Sequence, residues 1–188
     1  MNPTASPHSD VSGPERSAAD GAAFRLHLAV GWWMLFAFLT IGLVLETLHA
    51  FKSAFYLSPA NETRRLLWTL AHSHGTLFGL INIAFAFSVR AAWGWSPVAR
   101  TVASRSLLGA SVLMPAGFFL GGIVIYRGDP GLGVLLVPVG GMLLALGVLL
   151  TALGVRQRGR SMPLPPQDRP APASSPAPLR RKAARSGA

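Results

Sequence analysis

The chain has no cysteine, only seven acidic residues among 188, and 13% charged residues in all. Without cysteine there are no disulfides and no thiolate-held zinc or iron–sulfur centres. A soluble domain carries about a quarter charged residues, so the shortage of charge argues against a water-facing surface. Met1 to Asp20 is polar and rich in Ser, Pro and Ala, with no apolar core of a signal peptide. No Ser-His-Asp arrangement, phosphate loop or zinc-protease motif occurs, so nothing points to a hydrolase.

What the chain does have is apolar length: 51% of residues are hydrophobic and the mean hydropathy is +0.42. About 20 apolar residues cross a bilayer core. Four such runs are predicted as membrane helices, at about 24–51, 64–89, 106–126 and 132–155. The fold class expected is therefore all-α, an integral-membrane four-helix bundle over 23–155. Residues 1–22 and the Arg-, Pro- and Ala-rich residues 156–188 are expected to be disordered tails, because neither can bury enough apolar surface to offset ordering.

The charge is lopsided. Seventeen basic residues give a net +10, which by itself could suggest nucleic acid. Eight of them follow Val155, however, after the last apolar run. A basic tail there reads as a topology signal or a contact with anionic lipid, and no nucleic-acid partner is expected. Arg16, Arg25, Arg90, Arg100, Arg105 and the tail fall on one side of the membrane; Lys52, Arg64, Arg65 and Arg127 fall on the other. The excess of positive charge places both termini in the cytoplasm. Trp93 and Trp95 fit an interfacial aromatic belt between the second and third spans.

Small residues mark helix contacts. Gly117 and Gly121 lie four apart on the third span, a spacing that lets backbones approach in lipid. On the fourth, Gly133, Gly140, Gly147 and Gly154 recur every seven residues and draw one packing stripe. The same faces could pack on a second copy or on another subunit of a membrane complex.

The stretch from Thr69 to Asn82 places His72, His74, Thr76 and Asn82 inside an apolar run. Polar and ionisable groups at membrane depth need partners and mark candidate sites. At 100° per residue, His72, Thr76, Gly79 and Asn82 share a face, whereas His74 points about 200° away. On the first span Glu46 and His49 are one turn apart, and Glu46, His49 and His72 form a candidate metal set facing the outer side. Thr76 and Asn82 would line the same polar site. Glu-x-x-His is half of the di-iron pattern of helical bundles, though here it occurs once. His27 lies about 30 Å from this cluster along the helix and reads as an interfacial residue beside Arg25.

His72-Ser73-His74-Gly75-x-x-x-Gly79 resembles the His-x-His helix of the haem-copper oxidases and nitric oxide reductases. The likeness covers about ten residues. It implies that His72 and His74 are axial ligands of two haems on opposite faces of one helix. As a whole the chain resembles small four-span proteins of bacterial inner membranes. Three functions follow as expectations: a haem- or metal-binding protein of electron transfer or sensing, centred on the histidines between spans one and two; a proton-coupled transporter acting as an oligomer through Glu46; or a structural or assembly subunit whose polar residues are interhelical hydrogen bonds.

Overall fold

The computed structural model describes residues 12–91 and 95–161, with side chains over 17–91 and 95–156. Long helices dominate because the sequence offers long apolar runs with no internal breaker other than Pro115 and Pro138. Helix α1 spans Ser12–Ala50. A short α2, Ala54–Leu57, and a 3-10 turn, Pro59–Asn61, lead into α3, Glu62–Ala91. Then come α4, Pro97–Ile123, a two-residue-strand hairpin (β1 Ile125–Tyr126, β2 Asp129–Pro130), a 3-10 turn at Leu132–Leu135 and α5, Leu136–Ser161. Four helical segments are long and apolar enough to cross a membrane: Ser17–Ala50, Pro59–Ala91, Pro97–Ile123 and Leu132–Arg156.

Three boundaries differ from expectation. Helix replaces the disorder expected over 12–22: alanines at 18, 19, 22 and 23 favour it, and Asp20 is held by an ion pair to Arg100 of α4. Pro97 takes the first turn of α4, where its missing N–H costs nothing, so that helix starts nine residues before the expected 106. Helix α5 runs on to Ser161 instead of ending at 155. The tails at 1–11 and 162–188 and the aromatic Trp93 lie outside the described residues.

The helices form an open row rather than a closed ring. Each of α1, α3, α4 and α5 packs chiefly on its sequence neighbour, and among the described residues α1 and α5 make no substantial contact with each other. Only 17% of the first apolar window and 11% of the last are buried, against 56% for α4. Phe85, Val89, Trp95, Ala103 and Leu107 form the core between α3 and α4. Helices α1 and α4 run parallel on the same flank of α3. They meet near Asp20 and Arg100, then part to leave an apolar groove of about 520 Å³ lined by Val30, Phe38, Ile41, Leu108, Pro115 and Phe119.

Glycines set the close approaches. Gly31 of α1 and Gly79 of α3 face one another: a Cβ on Gly31 would lie 2.8 Å from the Gly79 carbonyl oxygen. Phe38 fits the notch left by Gly75, and the His72 ring fits the notch left by Gly42. Between α4 and α5, Gly117 and Gly121 face Gly133 and Val134, Gly140 meets Met114, Gly147 meets Leu107, and Gly154 meets the Trp95 ring.

The end of the row near Lys52 is closed by Arg64. Its Nε donates to the Gly122 carbonyl at 3.0 Å and its Nη1 to Asn61 Oδ1 at 2.9 Å. The guanidinium also lies 5.3 Å from the Phe55 ring centre and 5.9 Å from that of Trp68. A cation on the last carbonyls of α4 satisfies acceptors that the helix leaves open and complements its dipole. Arg64→Gln is expected to cost about 1–2 kcal/mol and to speed hydrogen exchange in the last turn of α4; unchanged exchange there would show that the cap contributes nothing. In the hairpin, Arg127 and Gly128 both have positive φ, 52° and 96°, as a two-residue turn of this hand requires. Thr63 Oγ1 donates to the Gly128 carbonyl at 2.7 Å and ties the hairpin to the start of α3.

Candidate functional site

The polar residues of the bundle separate into two levels. The deeper one joins three helices. His27 of α1 and Asn82 of α3 are both 0% exposed. Asn82 Nδ2 donates to the Phe78 carbonyl at 2.8 Å and to Ser111 Oγ of α4 at 2.8 Å. A carbonyl can only accept, so the amide nitrogen is fixed there and Oδ1 must face His27. His27 Nδ1–H therefore donates to Asn82 Oδ1 at 2.7 Å. In the neutral ring Nε2 is then an acceptor, and Ser104 Oγ–H donates to it at 2.8 Å. Ser111 Oγ–H donates in turn to the Leu107 carbonyl at 2.7 Å. Every polar atom of the His27 ring and of the Asn82 amide thus has a partner. The His27 ring also lies 4.4 Å from that of Phe85, centre to centre.

His27, expected at the interface beside Arg25, is turned to protein and not to the outside of the bundle. It is wholly enclosed, because positions 27, 31, 38, 42 and 45 of α1 share the arc turned to α3. The network also reassigns Asn82. The amide shares a helix face with His72, but it lies ten residues away, about 15 Å at 1.5 Å per residue, and its partner is His27.

At the upper level, His72 Nδ1–H donates to the Phe38 carbonyl at 2.7 Å. Its Cε1 and Nε2 lie against Gly42, where a Cβ would come within 2.3 Å and 2.8 Å of them. That contact closes the far edge of the ring against α1. His74 points to α4 instead: Nδ1–H donates to the Leu70 carbonyl at 2.8 Å, and the ring lies 4.9 Å from that of Phe118. Thr76 Oγ1 bonds back to the His72 carbonyl at 2.9 Å, so its hydroxyl serves its own helix. Above them α2 lies on α3, with buried Tyr56 3.5 Å from Thr69 Oγ1.

Glu46 and His49 do not join His72. Both side chains are exposed. Glu46 falls about 70° from the centre of the buried arc of α1 and outside it, and His49 is in the last turn, past the close α1–α3 contact. Among the described residues no group of three or more His, Asp or Glu side chains is placed to hold a metal ion. As a pair of haem ligands His72 and His74 fit poorly, since α1 lies against the Nε2 edge of His72; the Nε2 of His74 has no hydrogen-bond partner among the described residues.

Sequence reasoning missed Ser104, Ser111 and the Asp20–Arg100 pair. A signal was present: Asp20 and His27 are seven apart on α1, and Arg100, Ser104 and Ser111 follow at steps of four and seven on α4. Two polar stripes of helical period on two apolar helices suggest that the stripes meet.

Compared with known proteins, the chain matches no family model, no curated protein and no solved structure.

Proposed function

We propose that this chain is a multi-pass protein of a bacterial cytoplasmic membrane, with both termini inside, that serves as a structural or assembly subunit rather than as a cofactor carrier. The observation that carries this reading is the closed account of the His27–Asn82–Ser104–Ser111 network. In hydrocarbon an interhelical hydrogen bond holds helices that have no hydrophobic drive to associate. Here the donors and acceptors are spent on one another, which suits a fixed scaffold better than a site that must bind and release. His72 and Thr76 likewise bond to backbone carbonyls, and Glu46 faces outward, so among the described residues no inward polar path links it to the histidines. The large apolar side chains on the outside of α1 and α5, among them Trp32, Trp33, Met142 and Leu149, suit lipid or a neighbouring subunit.

The test is purification from its own membranes in mild detergent, with a visible spectrum, metal analysis and native mass. A fixed partner at constant ratio, no haem band and no stoichiometric metal are the expected results. A haem band that His74→Ala abolished would replace this reading with the cofactor one. Proton uptake in liposomes that Glu46→Gln abolished would replace it with transport.

A further inference from the structure

The outward face of α1 carries two interleaved seven-residue repeats. Arg25, Trp32, Leu39 and Glu46 form one; Ala29, Phe36, Leu43 and Ala50 form the other. Together they step by four and three, the spacing of a knobs-into-holes seam. At 100° per residue the seam centres about 150° from His27, on the side away from α3. All eight side chains are exposed; Trp32 is 61% exposed, Phe36 65% and Leu43 68%. Trp33, beside the seam, is 71% exposed and packs edge-on to Phe36 with ring centres 6.0 Å apart.

Two features argue that protein covers this seam. The first is depth. Arg25 and Glu46 are 21 residues apart, about 31 Å along the helix at 1.5 Å per residue, which matches a hydrocarbon core of about 30 Å. With those charges at the two interfaces, Trp32 and Trp33 come within about 5 Å of the midplane. Tryptophan exposed to lipid belongs at the headgroup level, whereas aromatic anchors at the centre of a face are what a docked partner buries. The second is charge. The seam ends in a cation on one side of the membrane and an anion on the other, and neither Arg25 nor Glu46 has a hydrogen-bond or ion-pair partner among the described residues.

These charges also choose the occupant. A second copy inserted the same way, related by an axis along the membrane normal, would set Glu46 against Glu46 and Arg25 against Arg25. An antiparallel copy would match the charges but would need the opposite topology. We infer that the outward seam of α1 docks a transmembrane helix of another protein that carries a basic residue opposite Glu46 and an acidic residue opposite Arg25. This rests on the assembly reading above and adds to it the docking face and the chemistry of the partner.

The test uses the absence of cysteine. The full chain with the single substitution Leu39→Cys is co-expressed with a one-span probe helix of leucine and alanine that has a central cysteine and a basic N-terminal flank to fix its orientation. One probe has Lys at the level of Glu46 and Asp at the level of Arg25; the other has them exchanged. Disulfide yield in the membrane is the readout. The complementary probe is expected to cross-link about tenfold more than the exchanged one. In the Arg25→Glu/Glu46→Lys variant the preference inverts, a result that loss of folding cannot mimic. Equal yields with the two probes overturn the inference. So does a preference that fails to invert, or a Leu39→Cys chain that links mainly to another copy of itself. A natural partner that still co-purifies at constant ratio after Trp32→Ala/Glu46→Gln overturns the docking face while leaving the assembly reading in place.

Discussion

Asn82→Ala is expected to lower the unfolding free energy by about 3 kcal/mol, measured by steric trapping in bicelles or by thermal melting in detergent. The loss has two parts. The substitution leaves a cavity where a 0% exposed side chain stood. It also strands the His27 Nδ1–H and removes the donor that Ser111 Oγ accepts. A single interhelical hydrogen bond in a membrane protein averages only about 0.6 kcal/mol, because the separated helices find other partners. The estimate here is larger because several bonds fall together and the orphaned groups stay inside the protein. The double variant His27→Phe/Asn82→Leu separates the two parts: it removes donors and acceptors together and fills the space, so most of the stability should return. If Asn82→Ala and the double variant melt alike, the polar network contributes little and the scaffold reading loses its main support.

Gly31→Val is expected to separate α1 from α3 and to cost about 3 kcal/mol. Any Cβ at Gly31 meets the Gly79 carbonyl oxygen at 2.8 Å and the Ile83 side chain at 2.6 Å. A backbone oxygen cannot turn aside, so the whole helix must move. Gly42→Ala makes a contrasting pair. There the obstacle is the His72 ring, 2.3 Å from the added carbon, and His72→Ala should relieve it. Melting should therefore show strong compensation between Gly42→Ala and His72→Ala and none between Gly31→Val and His72→Ala. Compensation in both pairs would mean that the close α1–α3 contact is softer than the glycine geometry implies.

The four long helices were legible because lipid-length apolar runs are a strong signal that local chemistry cannot imitate. Their ends were less so: a proline such as Pro97 can open a helix as readily as stop one, and the ion pair that holds Asp20 spans 80 residues. The glycine stripe of α5 could be read because seven residues nearly equal two turns. The polar centre could not be placed from one helix at a time. Face geometry put Asn82 with His72, and the angle was sound, but an angle says nothing of level along the axis. The missing information was α4, whose serines look ordinary until their level beside α1 is known. The enclosure of His27 was hidden for a similar reason: its neighbour Arg25 is exposed, while the side of the helix that His27 occupies is turned to protein.

The open row bears on how the chain is made. Because each long helix packs chiefly on the one before it, a helix leaving the ribosome finds its main partner already made. Helix α3 can settle on α1, α4 on α3 and α5 on α4 without holding an unfinished contact open. The exceptions are two links between α1 and α4: His27 with Ser104, 77 residues apart, and the ion pair of Asp20 with Arg100. Until α4 arrives, the His27 ring can bond Asn82 but its Nε2 has no protein donor. The α1–α3 pair therefore keeps one polar edge uncovered until Ser104 and Ser111 complete the network.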